Sequence, residues 1–238
     1  MPHKAEHIWR YRDLDVMYEP AVDGGGMTMA APLIDFIQSR FGADRHFQTA
    51  FEWCSGAGFL GFALLAEGIC ESLCLADVNS KAIEYVNRTI EANRLQDRVR
   101  AYVSDNMASI PRCEHFDLVV GNPPSFCNVN ADHPLHSFLK DNTGASDPGW
   151  RTHANFYSQI ASFLNLNAPV LVFEVNLFAR DVFTPGCSVP LDVRPEAPHV
   201  AFAEMIRLGK LTHLENASLN LGEHAMYDFS IQISQNCG

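Results

Sequence analysis

Two prolines follow an asparagine at the end of an apolar run, in Gly121-Asn122-Pro123-Pro124 after FDLVV. Proline lacks an N–H and fixes φ, and the residue before it is pushed to extended geometry, so Asn122 and Pro123 are held out of a helix. The Asn122 side-chain oxygen and the Pro123 carbonyl then form two acceptors on a rigid frame. They match the two N–H groups of a planar amide or aromatic amine. Such a nitrogen is a poor nucleophile because its lone pair is delocalised. Holding both N–H groups in acceptors favours the pyramidal, partly positive nitrogen of a transition state, without a strong general base. Taken alone, the prolines also read as a rigid turn that ends a strand.

A second group of residues lies upstream. FEWCS runs into Gly56-x-Gly58-x-x-Gly61, where Gly56 and Gly58 permit positive φ and close approach of backbone N–H groups to a ligand. With Asp77 farther on, the glycines satisfy the dinucleotide fingerprint; taken alone they are weak evidence, with a tight strand-to-helix turn that holds no ligand as the lesser alternative. Glu52, Asp77 and Asp105 fall at the ends of three successive strand candidates. A pyrophosphate over the glycines would sit unfavourably near Glu52, whereas S-adenosyl-L-methionine has no phosphate and carries an ammonium and a sulfonium. None of the six tyrosines has a lysine four residues on, which removes one common dehydrogenase pair. These residues favour S-adenosyl-L-methionine over a nicotinamide cofactor. Asp105 stands where a side chain reaches an adenine amine, or where it caps a turn.

Positioning these groups requires strands that end together. FQTAFEW (47–53), SLCLAD (72–77), RVRAYV (98–103), FDLVVG (116–121) and PVLVFEV (169–175) read as buried strands. Helices are predicted over 59–67, 80–93 and 151–165; in the second, Ala82, Ile83, Val86 and Ile90 share a face and Asn79 or Ser80 caps the start. The alternation predicts an α/β fold with a doubly wound, mostly parallel seven-stranded sheet. After residue 196 a helix over 199–209 precedes LTHLENASL and AMYDFSIQIS, expected to pair antiparallel at the sheet edge. The long stretches 122–150 and 176–197 both follow strands and overhang the edge where α/β folds bind ligands. The expected division is an N-terminal arm over 1–28, serving as a lid, and one domain over 29–238.

In this combination the residues resemble the class I S-adenosylmethionine-dependent methyltransferases, over roughly residues 47–175. The resemblance implies a Rossmann-like fold, with Glu52, Cys54, Gly56 and Gly58 at the cofactor's methionine end. It further implies Asp77 on the ribose and Asp105 with Asn106 beside the adenine. Asn122-Pro123-Pro124 is similar to the catalytic motif of the Asn-Pro-Pro-aromatic amino-methyltransferases, with Asn122 also near the cofactor. DVMYEPAVD (15–23) resembles the YEPAED-type segment of the HemK/PrmC glutamine methyltransferases. Two departures stand out: Ser125 occupies the place of the expected aromatic, with Phe126 one residue later, and Gly24-Gly25-Gly26 interrupts the polar continuation. Ser125, Phe126 and Trp150 are therefore the expected substrate-binding residues. Phe156 and Tyr157 could also replace the missing aromatic wall, although such residues are more often core anchors. His153 stands as a proton acceptor or as a solvated side chain.

Composition bounds the rest. Apolar residues make up 47% and charged residues 19% of the 238 residues, and no run approaches the roughly 20 apolar residues that span a bilayer. The seven scattered cysteines contain no CxxC pair and read as reduced thiols, which with the polar N-terminus predicts a cytoplasmic protein without a signal peptide. His133 and His136 are the closest histidine pair, but they sit in a Pro-broken loop, so no metal is expected. A net charge of −11 and the lack of a Lys/Arg run disfavour nucleic acid. A protein glutamine or a small molecule is the expected methyl acceptor. An RNA base amine is the alternative, as is a non-catalytic cofactor-binding partner subunit; an activating subunit or self-association is left open.

Overall fold

The structure is a computed structural model, and it describes residues 7–22, 26–125, 143–176, 205–219 and 228–237. Its centre is the strand β3 (Phe47–Trp53). Around it lie β4 (Cys70–Asp77), β5 (Val99–Val103), β6 (Leu118–Gly121), β7 (Pro169–Asn176), β8 (Thr212–Leu219) and β9 (Asp228–Gln235). These seven strands form one sheet in the order β5-β4-β3-β6-β7-β9-β8. The first five run parallel, and β9 pairs antiparallel with both β7 and β8. The doubly wound, mostly parallel seven-stranded sheet expected from the sequence is therefore the observed one, with its antiparallel edge.

Parallel strands covered on both faces must be apolar at nearly every position, and β6 is buried throughout. Alternate side chains serve two cores. Ala50, Leu73, Leu118, Leu171 and Phe173 face the helices α1 (Gly26–Phe41), α2 (Phe59–Ala66) and α3 (Ser80–Ala92). Phe51, Trp53, Cys74, Val119, Val170 and Val172 face α4 (Arg151–Ile160) on the other side. Helix α3 buries Ala82, Ile83, Val86 and Ile90 as its periodicity predicts, and Asn79 caps it by accepting the Lys81 N–H at 3.0 Å.

Two N-terminal features add to the elements read from the sequence. The strands β1 (His7–Tyr11) and β2 (Leu14–Tyr18) form an antiparallel hairpin. It docks on α3 through side chains that satisfy backbone groups of β2: Thr89 Oγ1 accepts from Met17 N at 2.9 Å, and Asn93 bonds both Asp15 N and Asp15 O. Helix α1 buries Met29, Ala30, Leu33, Ile34 and Ile37, a helical spacing in a segment where Pro32 masks the signal. Leu14, Val16 and Val22 join the same core as α1 and α2, so the segment preceding α1 is packed against the domain.

The third glycine of the fingerprint has a packing reason. A Cβ at Gly61 would lie 2.7 Å from Glu52 Oε2 and 2.8 Å from a Leu73 methyl, so only glycine lets α2 press onto β3 and β4. Gly61→Ala is expected to destabilise the fold by about 1–3 kcal/mol, the usual cost of overpacking a closed core. Urea unfolding checks this, and an unchanged midpoint would refute the packing role.

Candidate functional site

The carboxyl ends of β3, β4, β5 and β6 bring the acids, the glycines and the Asn-Pro-Pro segment to one edge. Trp53 pairs with Gly121 and Ala76 in the ladder, so Cys54, Asp77 and Asn122 leave the sheet at one level. Left-handed backbone recurs at every second residue of the turn that follows: φ is 52° at Cys54, 52° at Gly56 and 84° at Gly58. That conformation suits the two glycines, and at Cys54 it costs strain of the kind concentrated at functional sites. Ser55 N bonds Ala76 O at 3.0 Å and Gly58 N bonds Ser55 O at 2.7 Å, which fixes the turn. A Cβ on Gly56 would meet Val22 O at 2.8 Å, so the N-terminal segment lies directly against the turn.

The acids have distinct environments. Asp77 is half-buried and braces the glycine turn, its Oδ2 accepting from Gly56 N at 2.8 Å and its Oδ1 from Asn79 N at 2.8 Å. Asp105 is exposed, and Asn106 Nδ2 donates to it at 2.9 Å. Asn106 is itself buried with φ 52°, and its Oδ1 accepts from the Trp53 indole N–H at 2.9 Å. Glu52 is only 2% exposed, and its Oε2 accepts from Gly61 N at 2.7 Å at the start of α2. Burial pushes its carboxyl up to about 8 against the N–H groups of Gly61 and Leu60, which favour the charged form, while Asp77 adds to the rise. Burial, and then the fields of Asp77, Asp147, Asp105 and Glu52, hold the Cys54 thiol well above its ordinary pKa. Four carboxyl groups thus act on the thiol at the start of the turn.

Asn122 and Pro124 are half-buried, and Pro123 is buried. Ser125 is buried too, and its hydroxyl donates to the Pro123 carbonyl at 3.1 Å, which ties down the oxygen that the prolines already stiffen. A carbonyl oxygen has two lone pairs, so one remains for a ligand. Phe126, like His133 and His136, lies outside the described residues.

The α4 region is more deeply packed than a solvated His153 would imply. Phe156 and Tyr157 are core residues with no exposure; Phe156 stacks on Trp53 at 3.8 Å, and neither offers a wall to a substrate. His153 is fully buried rather than solvated: Nδ1 lies 2.7 Å from Asp147 Oδ2 and Nε2 lies 3.0 Å from Glu174 Oε1. Asp147 also caps α4, accepting from Thr152 N at 2.9 Å and His153 N at 3.1 Å. Burial opposes a charged imidazole, yet Glu174 and Asp147 outweigh it and raise His153 to about 9. The same bonds overcome burial at Asp147 and lower its pKa, while burial keeps that of Glu174 raised. Trp150 is half-buried, with φ 55° and its ring edge-on to His153 at 5.2 Å.

Sequence reading overlooked this cluster and Trp53. A glutamate inside the apolar run PVLVFEV and an aspartate five residues before Thr152 were its available signals. It overlooked Val78 as well, an apolar side chain 70% exposed next to Asp77.

Residues 33–143 match the family model of the methyltransferase small domain. The fold is that of a class I methyltransferase. The chain is 28% identical over 130 residues to the ribosomal protein uL3 glutamine methyltransferase of Francisella tularensis, covering 53% of this chain and 41% of that one. It is 32% identical over 123 residues to the ribosomal RNA small subunit methyltransferase C of Actinobacillus pleuropneumoniae, covering 49% and 34%. The alignments thus span well under half the length of these curated relatives. Among solved structures, TYW2 of M. jannaschii in complex with AdoMet superposes with a TM-score of 0.58 at 12% identity, over 99% of this chain and 87% of that one. That likeness is one of fold alone.

Within this methyltransferase fold, the raised Glu52 pKa sets a pH dependence. A carboxyl with a folded pKa near 8 and an unfolded one near the usual ~4.3 contributes stability that is full at low pH and is lost as pH rises through about 8. Glu52→Gln keeps an acceptor for Gly61 N–H and removes the ionisation, so its melting temperature is expected to fall less than wild type's between pH 6 and pH 9. Parallel calorimetric curves for the two proteins would refute the assignment.

Proposed function

We propose that this protein is an S-adenosylmethionine-dependent N-methyltransferase acting on a planar amide or amine nitrogen, in a protein glutamine side chain or a small molecule. The observation that carries this reading is the juxtaposition, at adjacent strand ends, of a glycine turn braced by Asp77 and the exposed carboxylate of Asp105 with the rigid acceptors of Asn122 and Pro123. Carboxylates at these strand ends oppose a pyrophosphate and suit a ligand bearing an ammonium and a sulfonium. S-adenosylmethionine, when bound, supplies an electrophilic methyl group on a positively charged sulfur.

The chain's own residues then have separable tasks. The Gly56 and Gly58 backbone, braced by Asp77, permits close approach of the methionine end. Asp77 has acceptor capacity left for ribose hydroxyls, and Asp105, oriented by Asn106, accepts from the adenine amine. Val78 offers an apolar face to the ring. Asn122 Oδ1 and the Pro123 carbonyl receive the two N–H groups of the acceptor and direct its lone pair along the line of displacement, at the about 3–3.5 Å of a near-attack geometry. As the new N–C bond forms, positive charge develops on the nitrogen, and these fixed oxygens stabilise it. The nitrogen then releases one proton to solvent. Trp150, the half-buried aromatic beside the cluster, takes the role of wall that Ser125 cannot fill.

Asn122→Ala is expected to reduce methyl transfer about 100-fold or more, the usual cost of removing one preorganised dipole, with S-adenosylhomocysteine affinity nearly unchanged. The assay is transfer of labelled methyl from S-adenosylmethionine into fractionated cell extract, and wild-type turnover in the variant would sink the mechanism. Asp77→Ala is expected to weaken S-adenosylhomocysteine binding by about tenfold or more, through loss of a charged acceptor. Calorimetry giving equal affinity would remove Asp77 from the site. The rRNA methyltransferase relative favours a second reading, an RNA base amine as acceptor. Label recovered in RNA rather than in protein or small molecules would select it.

A further inference from the structure

The cluster of Asp147, His153 and Glu174 lies outside the methyl-transfer steps above, yet three buried ionisable groups in mutual contact are costly unless they fix a geometry. Their positions say which geometry. Glu174 sits on β7 two residues beyond Val172, the partner of Gly121, and therefore at the level of Pro123. Trp53 lies edge-on to His153 at 5.4 Å and presses against Gly121, where a Cβ would come 3.1 Å from its ring. On the other side, Asp147 O accepts the Trp150 N–H at 3.0 Å, and the Trp150 ring stands perpendicular to the imidazole. Trp150 is thus held in a left-handed conformation by the residue that also pairs with His153.

From this we infer that Asp147, His153 and Glu174 are positioning residues that lock Trp150 to the end of the Asn-Pro-Pro strand, and so set how the methyl acceptor is held without contributing to cofactor binding. The inference rests on the proposed transferase reading. An imidazole protonated on both nitrogens donates to both carboxylates at once, which a neutral ring cannot do. Among the described residues, the carboxylates bonded to His153 are Asp147 from the turn before α4 and Glu174 from β7. Tyr157 on α4 feels Glu174, and Cys54 at the end of β3 feels Asp147. With both carboxylates present, the imidazole stays charged until the pH passes about 9.

Glu174→Gln tests the inference, because it keeps the shape and an acceptor oxygen but removes the charge. Transfer of labelled methyl into the extract fraction that wild type modifies is expected to fall about tenfold or more, as for a misplaced reacting group. The alkaline loss of transfer should move to lower pH, because His153 loses a carboxylate partner, while S-adenosylhomocysteine affinity by calorimetry stays within roughly twofold of wild type. A second readout needs no acceptor. The chain has three tryptophans, of which Trp53 is 1% exposed, so in a Trp9→Phe background acrylamide quenching reports Trp150. Glu174→Gln should raise that quenching. Unchanged transfer with unchanged quenching overturns the inference, and so does a loss of cofactor affinity in step with transfer. A wild type that labels no fraction removes the transferase reading, and the quenching result then decides separately whether the cluster positions Trp150.

Discussion

Trp53 is the side chain on which the arrangement of the site depends. It ends β3, the central strand, and it lies where four elements converge. Its indole N–H fixes Asn106 and through it Asp105; one ring face stacks on Phe156; its edge meets His153; and its ring and backbone would crowd a Cβ at Gly121, at 3.1 and 3.2 Å. A rigid, fully buried aromatic in this position transmits the register of the sheet to the loops above it. Asp105, the end of the strand at Gly121 and the α4 cluster therefore share one anchor, and a displacement of any of them is felt by the others.

Charge is arranged around that anchor with one sign on the side of the glycine turn. The fields of Asp77, Asp147 and Asp105 act on the Cys54 thiol, whereas burial keeps the carboxyl of Glu52 high enough to hold a proton near neutral pH and so to add little to them. A cationic ligand relieves such a field, whereas an anionic one adds to it. The buried imidazole between Asp147 and Glu174 compensates part of the charge on the α4 side, and its bonds replace the water that those carboxylates lose. The same acids therefore divide into those open to a ligand, such as Asp105, and those spent on structure, such as Glu52 and Asp147.

Much of the architecture was legible in the sequence because local signals agreed with one another. Apolar runs of strand length, the amphipathic face of α3 and the asparagine cap at residue 79 each predicted what formed. The hairpin β1-β2 and the helix α1 were not legible. The hairpin has no partner strand in the main sheet and is held by Thr89 and Asn93 from a helix, and α1 contains Pro32, which argues against a helix locally while its buried face argues for one.

The sequence by itself determined the parallel α/β order, the acids at successive strand ends and the rigid Asn122-Pro123-Pro124 frame, because hydrophobic period and proline stereochemistry act within a few residues. Packing of the sheet layers settled which of those groups stay exposed and which turn into the core. It turned Glu52 toward the start of α2, buried His153 between carboxylates 6 and 21 residues away from it along the chain, and moved Phe156 and Tyr157 into the packing beneath the site. The reason is physical: a polar side chain takes whichever partner compensates its desolvation, and those partners come from elements that are distant in sequence and meet only when the sheet closes its two layers.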